Sequence, residues 1–423
     1  MKEKEFLGFS KSMLLQCVAL YIGICLGLWV NKYFYILVAL FTFFIALTKD
    51  IKNVYYHLLF TMPFTVIYKM SPSSSSLFAY VVILAGMILV LRVKSFQIDR
   101  LFSILLFAVY LFIGMGDNYT TALKMIMGFV LLSIFVRKID SDSHKNHIMA
   151  FVLGNLGSSA IGTFRGSFPR LDAYFYRQLT ISSNNFLTTR FTGLNYDPNF
   201  YAMSAIFVIV LCCLLYFRKI GNKFFVLFLT AVQLYFGFIS YSKMFLLMFV
   251  IIALIMLIYI MKTPKRLILS FISIAAVGSV IWYFLEKAKY IDIMMNRLDS
   301  GDISTGRFGL WKAYSEFIFS SVKNLFLGKG IGYDYLSVGG PHNTYLEAIF
   351  FVGILGSLFL IAAIIFIFKG QKLLFKRDIL NYILILVFCF MIGTLGCFTI
   401  NEFSFYLILI WIGFNLKKVN VLE

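Results

Sequence analysis

Long apolar runs separated by short polar segments set the pattern of this chain. A helix rising about 1.5 Å per residue needs roughly 20 apolar residues to cross the hydrocarbon of a bilayer. Runs of that kind fall near 13–30, 33–48, 54–70, 77–91, 101–116, 120–136, 148–164, 200–217, 224–240, 244–261, 267–285, 343–368, 379–398 and 404–416. The pattern predicts an all-α polytopic membrane protein with about 12–14 transmembrane helices, the second, third and last runs being short enough to be tilted or re-entrant. With no internal repeat and no separate soluble stretch, residues 1–423 read as one integral membrane domain.

The polar segments differ in charge. With the N-terminus inside, the inner segments carry Lys11, Lys49, Lys52, Arg92, Arg137, Lys138, Arg218, Lys219, Lys265, Arg266, Lys369, Arg377, Lys417 and Lys418, while the short outer ones keep Lys32, Lys69, Lys124 and Lys243. Cytoplasmic loops hold the excess of Lys and Arg, so both termini are expected in the cytoplasm. The same alternation puts two long loops outside, 165–199 and 286–341. Composition adds an exclusion: at 61% hydrophobic and 13% charged, 423 residues have too little polar surface for a soluble domain. The net charge of +19 belongs to the inner segments and does not imply nucleic acid. Six cysteines sit in apolar runs without C-x-x-C spacing and read as free thiols packed as small core residues. The basic start imitates a signal peptide, but no small-x-small site follows, so an uncleaved first span is expected.

Long loops without a domain of their own are where binding and catalysis concentrate. The first holds Arg165, Arg170, Arg177 and Arg190 against Asp172 and Asp197. Arginine offers a permanent planar charge suited to phosphate, and a basic rim on lipid headgroups would use it equally well. Pro198 fits the start of the helix that follows, and Asn199 can cap or hydrogen-bond at its mouth. The second loop has apolar residues at 308, 311, 314, 318, 322 and 325, one face at helical spacing, with Lys312, Glu316 and Lys323 opposite. Such a helix lies on the membrane surface or packs as a lid on the bundle, with Arg307 at its N-terminal end. The glycines after it lack the spacing of a phosphate loop and predict a mobile backbone.

Four histidines occur. His144 and His147 fall in a charged inner segment and are expected to be solvated, and His57 lies within a run, either hydrogen-bonded in the core or part of a site. His342 is outside, at the mouth of a span and five residues before Glu347. Its side chain is the outer group whose ordinary pKa suits a base near neutral pH. The outer loops lack a His or carboxylate cluster with metal spacing, and Asp140 with Asp142 reads as a solvated loop, so neither metal nor cofactor is expected.

Between 300 and 356 the chain concentrates polar residues in SGDISTGRFGLWKAYSEFIFSSVKNLFLGKGIGYDYLSVGGPHNTYLEAIFFVGILG. Arg307, Trp311, Gly328 with Gly330, then His342, Asn343, Leu346 and Glu347 leading to Gly353 and Gly356, resemble the O-antigen ligase and Wzy-type polymerase superfamily. Further matches are Arg190 with Gly193 ahead of Asp197, Pro198 and Asn199, and Ser240, Ser242 and Lys243, where the superfamily more often has Arg as the last residue. The resemblance covers roughly 190–360. It implies a GT-C-like bundle and a metal-independent inverting glycosyltransferase working on undecaprenyl-pyrophosphate-linked glycans at the outer face of a bacterial inner membrane. A flippase and a chain-length regulator are the implied partners, beside membrane lipid and the lipid-linked oligosaccharide itself. His342, Arg307 and Arg190 would be catalytic, and Lys243, Asn199, Trp311, Asn343 and Glu347 would bind substrate. Polymerase is favoured over ligase by the span number and the Phe- and Tyr-rich chain. A flippase, from a different class, would carry charge in its spans and keep its outer loops short.

Overall fold

The computed structural model describes residues 4–71, 74–93, 98–113, 119–168, 170–171, 180–183, 186–195, 197–260, 279, 282–283, 286, 290–299, 306–331, 334–371, 379–397 and 402–416. Arg177, Asp172, Lys265, Arg266 and most of the expected span 267–285 lie outside the described residues. The chain opens with a two-residue hairpin, β1 (Glu5–Phe6) and β2 (Phe9–Ser10), and then α1 (Lys11–Trp29), capped by the Ser10 hydroxyl accepting from Met13 N. There follow α2 (Phe34–Thr48), α3 (Ile51–Thr61), α4 (Leu77–Arg92), α5 (Ile98–Ile113), α6 (Tyr119–Lys138) and α7 (His144–Thr163). A hairpin of β3 (Thr180–Ser183) and β4 (Phe186–Thr189) pairs Thr180 with Thr189. Beyond it come α8 (Pro198–Phe217), α9 (Lys223–Ile239), α10 (Lys243–Ile260), α11 (Tyr290–Asp299), α12 (Arg307–Phe319), α13 (Val322–Leu327), α14 (Thr344–Phe368), α15 (Ile379–Thr394) and α16 (Phe403–Asn415).

Among the described residues α1, α6, α8 and α14 are long and apolar enough to cross a membrane, and α2, α4, α9, α15 and α16 are shorter apolar helices. α8 is the central post, with Tyr201 to Val208 wholly buried apart from a trace at Ser204. The peripheral helices turn large apolar side chains outward, among them Leu15, Leu91, Phe224 and Ile365, each more than half exposed. Apolar surface on that scale suits lipid rather than water. The architecture is that of an all-α membrane protein.

One expected span is corrected. The run near 54–70 gives only the 11 residues of α3 before a 3-10 turn at Met62–Phe64, in which Pro63 lacks the amide a continuing helix needs. At about 1.5 Å per residue α3 is too short to cross. Its residues from Asn53 to Thr61 are all buried. His144 and His147 are also corrected: neither is solvated. The 3-10 turn at Ser141–Ser143 starts α7 at His144, beneath α3. There the His147 ring sits 4.5 Å from the Tyr56 ring, and its Nε2 is 3.2 Å from the Lys52 carbonyl oxygen. His57 proves a hydrogen-bonded core residue, with Nδ1 3.1 Å from Thr42 Oγ1 and Nε2 3.1 Å from Gln16 Oε1.

The polar segments gather at two ends of the bundle. At one end Ser10 N donates to Asn146 Oδ1 at 3.0 Å, Asn222 N to the Leu7 carbonyl at 2.9 Å, and Arg218 to the Gly413 carbonyl at 2.9 Å. Lys145 pairs with Glu5 at 2.7 Å there. The other end gathers the turn after α3 and the first turns of α4, α6, α8 and α16, together with most of the second long loop. Reporters fused after Ser183 and Ser337 should therefore report outside, and those after Asn146 and Gln371 inside. An inside signal at Ser337 would remove the basis for an external site.

The second loop holds a further correction. Its helical face is broken at Ser320–Ser321, so α12 buries Tyr314 and Ile318, with the Tyr314 and Phe317 rings on Phe350 of α14, while Val322 turns outward. Phe308, Phe319 and Val322 are 69%, 73% and 75% exposed, an apolar edge directed away from the bundle. The glycines after α13 are not free to move either. α14 breaks at Gly353 (φ 63°), which leaves the carbonyls just before it without helical partners. Lys329 N donates to the Phe350 carbonyl at 2.7 Å, Gly330 N to that of Phe351 at 2.9 Å, and the Tyr110 hydroxyl to that of Val352 at 2.6 Å. Gly328 lies so close to this break that a Cβ on it would come within 2.6 Å of Gly353 N and of the Phe351 carbonyl. The six cysteines are free, and Cys389, unlike the others, faces outward from α15.

Candidate functional site

Five stretches far apart in sequence meet at the end that holds the long loops. α8 begins in the way its sequence demands: Pro198 occupies the first turn, and the cap is Asp197, whose Oδ1 accepts from Asn199 N at 2.6 Å. That leaves the Asn199 side chain to join two other segments. Its Oδ1 accepts from Arg190 at 3.2 Å and from the Ser242 hydroxyl at 2.8 Å, and Arg190 Nε also donates to the Ser240 carbonyl at 3.1 Å. Lys243 opens α10 directly after Ser242.

Arg307 is the first residue of α12, behind Gly306, and its guanidinium reaches Met244 Sδ at 3.1 Å. Burial works against its charge and Asp197 supports it. Trp311, one turn on, donates Nε1 to the Pro341 carbonyl at 2.9 Å, and the Tyr314 hydroxyl donates to the Gly339 carbonyl at 2.7 Å. α12 thereby holds the segment that carries His342. Asn343 caps α14, accepting from Tyr345 N at 3.0 Å and Leu346 N at 3.2 Å.

His342 is held between these anchors with φ 47°, a left-handed conformation costing a branched or bulky residue about 1–3 kcal/mol. Such strain persists only where the surroundings fix it. The imidazole is half-buried. Burial pushes its pKa below the ordinary value, the Asp197 carboxylate opposes that shift, and the Arg307 charge adds to it. Burial and the Arg307 charge thus favour the neutral imidazole, the form able to accept a proton.

The expected site residues thus divide. Arg190, Asn199, Ser242 and Lys243 form one flank, and Arg307, Trp311 and His342 the other, with Asp197 acting on both Arg307 and His342. Glu347 lies behind this face: it is wholly buried, and its Oε1 accepts from the Tyr335 hydroxyl at 2.5 Å. Asn343 is occupied with its helix cap.

Sequence reasoning missed a cavity of about 370 Å³ on the other side of Asp197. It is bounded by the turn after α3, by the N-terminal turns of α4, α6, α8 and α16, and by Phe151 of α7. Lys69, Lys124 and Glu402 line it with Asp197. Lys124, in the second turn of α6, was the available signal, since an ionisable residue inside an apolar run marks a functional region by default. Among the described residues no group of three or more His, Cys, Asp or Glu side chains is placed to hold a metal ion.

No family model, curated protein or solved structure matches this chain.

Proposed function

We propose that this chain is a glycosyltransferase that joins lipid-pyrophosphate-linked oligosaccharide units at the outer face of a bacterial inner membrane. The observation that carries the reading is that Arg190 and Ser242 meet on Asn199, Arg307 reaches Met244 next to them, and Trp311 of the same helix holds Pro341 beside His342, all at one mouth of an apolar bundle. A base beside fixed cations, at membrane level, is what transfer from a lipid pyrophosphate requires. His342 takes the proton of the attacking sugar hydroxyl, and that oxygen bonds to the anomeric carbon of the donor. The bond from that carbon to the pyrophosphate oxygen breaks, and the lipid pyrophosphate leaves with the electron pair. Arg190 and Arg307 supply positive charge to the leaving group, and Lys243 adds a point charge beside them. Attack from the face opposite the leaving group inverts the anomeric centre.

The same chemistry serves a ligase, which would move finished polymer onto another lipid. The polymerase is preferred on the span pattern of the sequence. A flippase is disfavoured because Arg190 and Arg307 come from the long loops and His342 directly follows the second, and a flippase would keep such loops short.

Arg190→Ala and Arg307→Ala should each abolish polymer with the protein still in the membrane. Lys replacements should restore only part, since a point charge cannot reproduce the two-pronged hydrogen bonding of arginine to phosphate. Arg170→Ala should matter less. The readout is surface glycan on a gel beside an immunoblot of the membrane fraction. Full-length polymer from both alanine variants would reduce these arginines to headgroup contacts.

A further inference from the structure

We infer that the cavity bounded by Lys124 and Glu402 is a binding site for a saccharide, and that it holds the acceptor sugar of the transfer reaction. The second half of that statement rests on the reading of the site as a glycosyl-transfer centre; the first does not. Small-molecule sites occupy roughly 300–1000 Å³, and this cavity, at about 370 Å³, is at the lower end.

Its lining chooses among ligand classes. A pocket for pyrophosphate would carry an excess of cations, whereas here Lys69 and Lys124 face Asp197 and Glu402, and the formal charges cancel. A pocket for an acyl chain would be bare of polar groups, whereas hydroxyls of Thr65, Ser75, Ser76 and Thr120 line this one, those of Thr65 and Ser76 donating to the Met62 and Tyr68 carbonyls and keeping lone pairs to accept. The apolar part of the wall combines the rings of Phe151, Phe200 and Tyr406 with Met62, Pro63, Val66 and Ala79. Balanced charge, several hydroxyls and flat apolar faces together suit a ring that presents hydroxyls at its edge and C–H groups on its faces. In a low-dielectric bundle the ammonium of Lys124 and the carboxylate of Glu402 are strong partners for such hydroxyls.

Position argues for the acceptor. Asp197 lines the cavity and also acts electrostatically on His342 and Arg307. Its Oδ1 caps α8, and a carboxylate keeps further acceptor sites for a ligand hydroxyl. A sugar seated between Lys124 and Glu402 therefore borders the carboxylate beside the proposed base. The cations expected to meet pyrophosphate, Arg190 and Arg307, are not among the lining residues. Donor and acceptor thus have separate compartments that share Asp197.

The test uses purified full-length protein in lipid nanodiscs and reads its unfolding midpoint. The probes are the methyl glycosides of a neutral hexose, an N-acetylhexosamine, a hexuronic acid and a 6-deoxyhexose, and inorganic pyrophosphate. A ligand bound to the folded state raises the midpoint as its concentration passes the dissociation constant. At least one glycoside should give a saturable rise. Lys124→Met and Glu402→Gln should each weaken it tenfold or more, leaving the rise with pyrophosphate unchanged. Ser75→Trp, which fills the exposed rim of the cavity and keeps both charged residues, should abolish the glycoside effect even if the two charge variants fold poorly. The proposal is overturned if no glycoside of the panel raises the midpoint, if the rise survives Ser75→Trp, or if Lys124→Met removes the pyrophosphate effect instead. Because no turnover is needed, glycoside binding that depends on this cavity in a chain that makes no polymer would sink the polymerase reading and keep the saccharide site. Normal polymer from Glu402→Gln and Ser75→Trp would do the reverse.

Discussion

Replacing His342 with alanine should lower glycan polymer formation by about 10²–10⁴-fold, the usual contribution of a positioned general base, while the lipid-linked substrate still binds. In cells the surface should then carry single repeat units, because flipping and ligation continue and only joining fails. Long polymer left on its carrier would indicate a ligase, and single units trapped on the cytoplasmic side a flippase, so one glycan gel with one assay of carrier-linked sugar separates the three. The pH profile gives a second readout. A base must be neutral to act, so activity falls on the acid side as His342 takes up a proton. Burial and Arg307 favour the neutral ring, which places the acid limb of kcat/KM below the ordinary histidine value. Asp197→Asn removes the influence that favours the charged ring and should move that limb lower still. An acid limb at or above the ordinary value, or normal chains from His342→Ala, would refute the assignment.

Gly353→Ala should be the most damaging glycine-to-alanine change among the described residues. A methyl group there adopts a left-handed backbone at about 1–3 kcal/mol. It also overlaps the Phe326 carbonyl, and overpacking of that kind adds about 1–3 kcal/mol. The loss should show as a lower unfolding midpoint and as protease cleavage within 306–340, since the contact being broken holds the second loop to α14. Gly309→Ala is the matched control. Gly309 is helical with open space around it, so alanine should leave stability unchanged or raise it by roughly 0.5–1 kcal/mol. Equal effects at both glycines would show that the backbone approach at Gly353 is not tight.

Most of the helices could be read from apolar runs because each run is its own signal, and the described apolar helices match the expected boundaries closely outside α3, whereas α11 was not expected and the helix starting at Arg307 is broken in two. The α3 run misled because its residues are apolar for a different reason: a short helix buried on all sides by protein has the composition of one buried in lipid. His144 and His147 misled in the opposite way. Their neighbours Asp142 and Lys145 are those of an exposed loop, and only the tertiary placement of α3 over α7 covers the two rings. The site residues Arg190, Asn199, Arg307 and His342 were legible as polar groups at span mouths. Their meeting was not, since the bonds from Asn199 to Arg190 and Ser242 join segments whose spacing carries no periodic signal. The glycines after α13 showed that backbone freedom was needed, but not that the freedom serves close packing against a broken helix. Lys124 lies inside an apolar run and could have been singled out, but its tie to Glu402 stayed hidden because the cavity that gives the two a shared meaning draws on six elements.

The outward apolar edge at Phe308, Phe319 and Val322 has a bearing on how rates should be expressed. Exposed apolar side chains of this kind favour the hydrocarbon border over bulk water, which under the proposed function sets the mouth beside them at the level of the headgroups. A substrate with a polyprenyl tail reaches that mouth by lateral diffusion and never dissolves on the way. Its effective concentration is then a mole fraction in the bilayer. Diluting the reaction with buffer at fixed lipid composition should leave the turnover per protein unchanged, while diluting the carrier with inert phospholipid should slow it.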